Sequence, residues 1–440
     1  MNPTASTRRG FLKSAAAVAS VPFILPSGIW SAPVKPNDKI AVGFIGMGRR
    51  AGGLVNSFMG QERVAAVAVS DCDTTRRNAS KAQVDKKNGN TDCAAYNDYR
   101  DLLARGDLDA VCIATPDHWH AIQILDSMDA GLDVYCEKPL VHNIHEAIRV
   151  MQAVKTSGKV LQTGSQQRSS REFRVACELV RNGAIGRIKR IDVNFGGPGI
   201  PCDLPGEAME PGLDWDMWLG PAPMRPYNEI LSPRGVHNHF PRWRSYREYG
   251  GGMVTDWGAH HVDIVQWGLN QDNGGPIAAV PPSEAGAENG AQLIYEGDIP
   301  VYHGRGIGIH FFGSEGEVQV ARGRFALAYQ GKTVAQRLGN GENLGQALDI
   351  AEREFLQSPS DRLYRSPGHT EDFLRCMETR RKPITSEIVG CRSIIACHLM
   401  NLAYYHGQRI EWDPVQLNFR GGTGKAEWLT REYRGDWIVS

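Results

Sequence analysis

A lysine at the end of an apolar run is the first residue of this chain that asks for a chemical role. Val134-Tyr135-Cys136-Glu137-Lys138-Pro139-Leu140 reads as a strand that closes on an acid, a base and a proline. Burying an ammonium is costly unless a partner or ligand offsets its desolvation. Pro139 biases Lys138 away from helical dihedrals, so the chain turns at the carboxyl edge, where open α/β sheets bind ligands. Lys138 therefore faces a ligand there, or forms with Glu137 a solvated strand-end pair. A second chemically capable couple, Asp256 and His260, stands four residues apart in a helical pattern from Met253 to Trp267 and shares a face. Alone, such a couple is more often a surface ion pair than a catalytic one.

The elements needed to position a ligand near Lys138 lie upstream. The apolar run from Lys39 to Ile45 is followed at once by Gly46-Met47-Gly48-Arg49-Arg50-Ala51, a G-x-G-x-x-G/A pattern with a strand before it and a helix after it. Gly46 permits the tight turn, Gly48 lets the backbone approach a pyrophosphate, and Ala51 allows helix to pack on strand. The run from Arg63 to Ser70 is a second strand, closed by Asp71 where a ribose-binding carboxylate belongs. That acid favours NAD over NADP, because a 2′-phosphate meets like charge; Arg76 and Arg77 are the side chains that could reverse the preference. If Asp71 is instead a helix cap, Asp73 is the competing candidate.

Alternation continues through a helix around 74–86, a strand at 109–114, the loop Thr115-Pro116-Asp117-His118-Trp119-His120, a helix over 120–130, the Lys138 strand, a helix over 144–156 and a last strand at 160–163. Repeated β-α units of this length predict a parallel doubly wound sheet. The second half predicts a helix at 172–181, a new sheet starting at 187–195 with later strands at 290–295, 306–312 and 316–320, and two closing helices at 370–378 and 386–405.

Together, the glycine turn, the Thr-Pro-Asp-His-Trp-His loop and Glu137-Lys138-Pro139 resemble the glucose-fructose oxidoreductase and inositol dehydrogenase family, Gfo/Idh/MocA. The resemblance implies an α/β fold with an N-terminal Rossmann sheet (38–164) and a C-terminal α/β domain with an open-faced, mostly antiparallel sheet (165–440) for substrate and subunit contacts. It implies cofactor contacts from Gly46, Gly48, Arg49, Ala51, Asp71, Thr115, Pro116, His118, His120, Glu137 and Lys138. Asp256 and His260 fall on the family's Asp-x-x-x-His element, so the implied catalytic set is Lys138, Asp256 and His260. Lys138 would anchor a substrate hydroxyl and stabilise charge on its oxygen, His260 would take its proton, and Asp256 would orient the ring or bind a neighbouring hydroxyl. His261 is the alternate base. Gln166, Arg168 and Trp243 join His260 and His261 as expected carbohydrate contacts, since aromatic and hydrogen-bonding side chains match sugar faces and hydroxyls. The expected activity is NAD-dependent oxidation of a sugar or polyol CH-OH group by a dimer or tetramer. A redox-neutral NAD-dependent glycoside hydrolase and a non-catalytic sugar-binding protein are the alternatives.

Across 440 residues the formal net charge is zero, which gives no electrostatic reason to expect nucleic acid or an anionic membrane as partner. Residues 1–33 resemble a twin-arginine export signal: Thr7-Arg8-Arg9-Gly10-Phe11-Leu12-Lys13 precedes a modest apolar run too short to span a bilayer. A periplasmic location without a membrane anchor is expected. Export in the folded state fits nine cysteines used as free thiols, with Cys112, Cys136, Cys177 and Cys397 in apolar runs. No cysteine has metal-ligand spacing, and the pairs His118/His120 and His237/His239 lack an acid or thiol to complete a site, so no metal is expected. Away from a cytoplasmic cofactor pool the dinucleotide must be retained, and 32–38 or the Arg49-Arg50 turn are the candidate covers.

Overall fold

The computed structural model describes residues 39–304, 306 and 308–439. The export segment lies outside the described residues. Continuous apolar runs form the first sheet: β1 (Ile40–Ile45), β2 (Val64–Ser70), β3 (Ala94–Tyr96), β4 (Ala110–Ile113), β5 (Asp133–Cys136) and β6 (Leu161–Thr163). They lie in the order β3-β2-β1-β4-β5-β6, and all five pairings are parallel. The intervening helices are α1 (Arg49–Met59), α2 (Thr74–Asn88), α3 (Tyr99–Leu103), α4 (Asp117–Asp129) and α5 (Ile144–Ser157). Strand order reverses between β1 and β4, so the loops after β1, β4 and β5 open on one crevice.

The second half builds a ten-stranded mixed sheet. Its strands are β7 (Ile188–Asn194), β8 (Ala278–Val280), β9 (Gln292–Tyr295), β10 (Ile299–Gly304), β11 (Ile309–Gly313), β12 (Gly316–Ala321), β13 (Arg324–Tyr329), β14 (Lys332–Arg337), β15 (Ile410–Asp413) and β16 (Asn418–Arg420). The order is β14-β13-β12-β11-β7-β10-β9-β8-β15-β16, with β7 and β10 parallel and the other pairings antiparallel. The remaining helices are α6 (Arg171–Arg181), α7 (Trp215–Leu219), α8 (Met253–Asp256), α9 (Gly258–Gly268), α10 (Leu344–Phe355), α11 (His369–Thr379) and α12 (Glu387–His406). From Arg190 onward β7 alternates, burying Ile191 and Val193 and leaving Arg190, Asp192 and Asn194 on the more open face.

Two differences from the sequence reading affect the site. Helix α11, near the end of the chain, returns to the first sheet: Phe373, Leu374, Cys376 and Met377 pack with Val42, Phe44, Phe58 and Tyr135. The helix expected from Met253 to Trp267 is two helices, parted at Trp257. All nine cysteines are free thiols, seven of them buried. No described helix is long and apolar enough to cross a membrane.

Candidate active site

Gly46 turns β1 into the crevice with φ +81, and a Cβ there would lie 2.6 Å from the Thr115 backbone nitrogen, so the β1 and β4 loops touch at a residue that must lack a side chain. Gly48 precedes the first turn of α1, where no side chain caps the free backbone N–H groups, and a Cβ on it would meet nothing within 4 Å. An open helix N-terminus with an approachable backbone fits a dinucleotide pyrophosphate. Ala51 is buried in the first turn of α1, and Arg49 is exposed. Asp71 accepts from Met47 N (2.6 Å) and Asp73 N (2.8 Å), so it braces the glycine turn from the end of β2. Burial raises its carboxyl above the usual range, opposed by the Arg76 charge. Asp73 caps α2 by accepting from Arg76 N, which leaves Asp71 for a ribose.

Both arginines that could have favoured a 2′-phosphate have other partners. Arg76 donates to Ser232 Oγ and to the carbonyls of Pro233 and Gly235. Arg77 donates to Asp71 O (2.6 Å), Asn97 and Thr74.

The catalytic triplet expected from sequence assembles in a cavity of about 370 Å³ beside this groove, sharing Arg50, Ala114, Thr115 and the 240–244 loop with it. Lys138, at a cis peptide with Pro139, donates from Nζ to Asp256 Oδ1 (2.6 Å) and Asp256 O (2.9 Å). In an unbroken helix that carbonyl would accept from His260 N–H. It accepts from the lysine instead, and His260 N–H bonds to Trp257 O (3.0 Å). The break in the helix thus coincides with the lysine contact. Asp256 is buried, but Lys138, with Arg244 at 3.5 Å, outweighs that burial and lowers its pKa below the usual carboxylate range. His260 is 4% exposed and lines the same cavity. Burial first, then the charges of Lys138 and Arg322, press its pKa well below the ordinary imidazole value. It is a neutral ring and a weaker base than its residue type suggested.

Glu137 accepts from Arg50 Nε (2.7 Å) and Gln166 Nε2 (2.9 Å), so the strand-end acid pairs with the helix after the glycine turn rather than with Lys138. Gln166 and the buried Trp243 line the cavity as expected. Trp257 and Phe240, 40% and 57% exposed, add aromatic surface, with Arg322 over Trp257 and Arg244 over Phe240 and Trp243. Asp117, Arg244, Trp257 and Arg322 were not singled out from sequence, and Arg50 was singled out only as a candidate cofactor cover. Arg50 and Trp257 sit inside recognised motifs, whereas Arg322 occupies an ordinary-looking turn between β12 and β13.

Three expected contacts are structural instead. Arg168 is buried beneath the site, donating to both oxygens of Asp263 (2.9 and 3.0 Å from Nε) and to Asp272 (2.8 Å). It lies outside the substrate cavity. Arg168→Met is expected to lower folding stability by about 3–5 kcal/mol, because Asp263 would stay buried without its cation. Urea denaturation measures this, and a stable variant with a raised KM would restore the substrate role. His118 is fully buried with Nε2 on Trp218 O (3.0 Å), and its pKa falls to about 3 through burial and the Arg431 charge. His261 turns toward Phe195 and Trp257, and burial lowers it to about 4. His120 lines the cavity but ties two loops together, with Nδ1 on Pro139 O (2.7 Å) and Nε2 on Thr115 O (2.9 Å). Pro116 and Thr115 line the cofactor groove. Among the described residues, no group of three or more His, Cys, Asp or Glu side chains is arranged to hold a metal ion.

A parallel 3-2-1-4-5-6 sheet, a glycine turn braced by Asp71, and a lysine-carboxylate pair at the switch point define an NAD-binding oxidoreductase fold. The chain belongs to the Gfo/Idh/MocA family: residues 40–165 match its profile "Oxidoreductase family, NAD-binding Rossmann fold", and 186–292 match "Oxidoreductase family, C-terminal alpha/beta domain". Among curated relatives, a "Glycosyl hydrolase family 109 protein" of Shewanella putrefaciens is 30% identical over 154 residues, 34% of each chain. An "Alpha-N-acetylgalactosaminidase" of Shewanella oneidensis is 30% identical over 203 residues, 41% of this chain and 44% of that one. The match spans less than half the length of these relatives. Among solved structures, the WlbA dehydrogenase of Bordetella pertussis in complex with NADH and UDP-GlcNAcA aligns with TM-score 0.57 and 18% identity, over 85% of this chain and 98% of that one. A levoglucosan dehydrogenase in complex with NADH aligns with TM-score 0.56 and 16% identity, over 85% and 99%. These two likenesses are of fold.

Proposed function

We propose that the protein oxidises a hydroxyl of a sugar or polyol with NAD, as an exported and homo-oligomeric enzyme. The observation that carries this reading is Lys138. Its ammonium has three donors, of which two go to Asp256. The third is left for a substrate oxygen in the cavity that adjoins the cofactor groove. NAD would supply the hydride acceptor, held by the open first turn of α1 and by Asp71. Lys138 would fix the reacting oxygen and stabilise its negative charge, while Asp256 holds the ammonium in place. Trp257 and Phe240 offer faces for sugar CH groups. Exposed side chains on the second sheet, such as Arg190 beside Tyr302 and Phe312, offer a surface for subunit pairing.

A second reading, a redox-neutral glycoside hydrolase, is favoured by the names of the curated relatives. There the same oxidation would be transient, followed by elimination of the aglycone and reduction. Incubation with aryl glycosides separates the two. Aglycone release without net sugar oxidation establishes the hydrolase; oxidation of free sugars with no aglycone release, read as reduction of the bound NAD or of a second sugar, establishes the dehydrogenase. A protein that does neither with a broad sugar panel is not the enzyme proposed.

A further inference from the structure

The substrate cavity holds one carboxyl that neither the fold nor the ion pairs explain. Asp117 opens α4 directly after Pro116, is 3% exposed, and lines the cavity with Lys138, Asp256 and His260. Among the described residues none other than Asp117 itself, through its backbone N–H, donates a hydrogen bond to this carboxyl. Its Oδ2 packs beside Gly250, which offers no side chain. A buried carboxylate whose one donor is its own backbone N–H is the costlier state, and the protonated acid is the cheaper one.

We propose that Asp117 is the catalytic residue that exchanges a proton with the substrate hydroxyl. The proposal rests on the sugar-oxidation reading above. In oxidation the substrate C–H bond breaks with its electron pair passing as hydride to the nicotinamide of NAD. The O–H electrons form the carbonyl, and the hydroxyl proton goes to the Asp117 carboxylate. In reduction the protonated Asp117 returns it. The other polar groups of the cavity are less suited. Burial and the Lys138 charge make His260 a weak proton acceptor, His120 has both ring nitrogens on the Pro139 and Thr115 carbonyls, Asp256 is committed to Lys138, and Glu137 takes Arg50 and Gln166.

The charged groups around Asp117 are Arg244 from the 242–245 turn, Asp256 from α8 and Lys138 from the end of β5, with the Cys136 thiol behind it and His120 on its own helix. Burial dominates and Asp256 adds to it, while Arg244 and Lys138 oppose, leaving the carboxyl at about 8. The sign of the pH dependence follows. Proton acceptance needs the ionised form, so oxidation rises with pH through about 8, and reduction falls over the same interval.

The direct test is pH-difference infrared spectroscopy of the NAD-loaded full chain, which needs no substrate. A protonated-carboxyl band that titrates near pH 8 and is missing from Asp117→Asn is expected; identical difference spectra for the two proteins overturn the proposal. With any sugar that is turned over, Asp117→Asn is expected to lose about 100-fold in kcat and the alkaline rise with it, at unchanged NAD content. Retention of the rise also overturns the proposal. Should the asparagine variant fail to hold NAD, Asp117→Glu serves: its band moves if the assignment holds and stays if it fails. Absence of sugar turnover would sink the functional reading alone, since the infrared titration is independent of it.

Discussion

Lys138→Ala is expected to lower turnover by about two orders of magnitude or more while leaving NAD binding nearly intact, the usual scale for removing a positioned charge stabiliser. The lysine is not among the residues lining the cofactor groove, and its two described hydrogen bonds both go to Asp256. Loss of the ammonium therefore acts on the cavity alone. It frees the Asp256 carbonyl and leaves the buried Asp256 carboxylate with Arg244 at 3.5 Å as its remaining cation. Some destabilisation accompanies the change, because half of a partly buried pair is gone. Turnover measured at saturating sugar, beside dinucleotide content from mass spectrometry of denatured protein, separates the two effects. A variant with wild-type turnover and full NAD content would falsify the assignment of Lys138 to the chemistry. Loss of NAD together with turnover would instead place the lysine in the cofactor scaffold.

How much of this was legible beforehand depends on how local each cause is. Five of the six strands of the first sheet were readable because they are continuous, largely buried apolar runs with glycine and Asp71 at the strand ends, whereas the three-residue, partly exposed β3 was missed. The glycine turn, Asp71, Lys138, Asp256, Gln166 and Trp243 all fall where sequence put them, since their positions follow from strand ends and helical spacing. The strands β8, β10 and β13 to β16 were missed: they are short or buried on one face only, so they lack the continuous apolar run that marks the first sheet, even where, as in β13, β14 and β16, the pairing partner is the neighbour in sequence. The split at Trp257 was invisible for a similar reason. Trp257 keeps helical dihedrals (φ −84, ψ −31), so the periodicity runs on, while the Asp256 carbonyl is taken by a lysine 118 residues away. Arg168 was misread because its partners, Asp263 and Asp272, carry no sequence mark of their pairing. His260 kept its place but not its expected basicity, because that depends on burial and on Lys138 and Arg322, which only the assembled cavity brings together.

Exhaustively dialysed protein is expected to turn over substrate without added NAD. The proposed export removes the enzyme from any cytoplasmic pool that could reoxidise released NADH, so the dinucleotide has to enter before export and stay. A dissociation constant near 1 nM corresponds to about −12 kcal/mol, more than a glycine turn and one ribose carboxylate readily supply. Chain that covers the cofactor is needed. Of the two candidates from sequence, 32–38 lies outside the described residues, and Arg50 is bound to Glu137. The structure offers a different cover. Leu231, Ser232, Pro233, His237, Phe240, Pro241, Trp243 and Arg244 line the groove opposite the glycine turn. Arg76, on α2 beside Asp71, holds that segment through Ser232, Pro233 and Gly235. One arginine thereby links the ribose side of the groove to its cover. Opening of this cover would break the Arg76 contacts, which is expected to slow the off-rate without adding a bond to the cofactor itself. With NAD held this way the cycle closes internally, through a second sugar as oxidant or through the reductive half of a glycoside cleavage. Activity that vanishes on dialysis and returns only with free NAD would refute the closed cycle. Arg76→Ala tests the cover directly: it should lose NAD during the dialysis that wild type survives, while the protein refilled with NAD works at the normal rate.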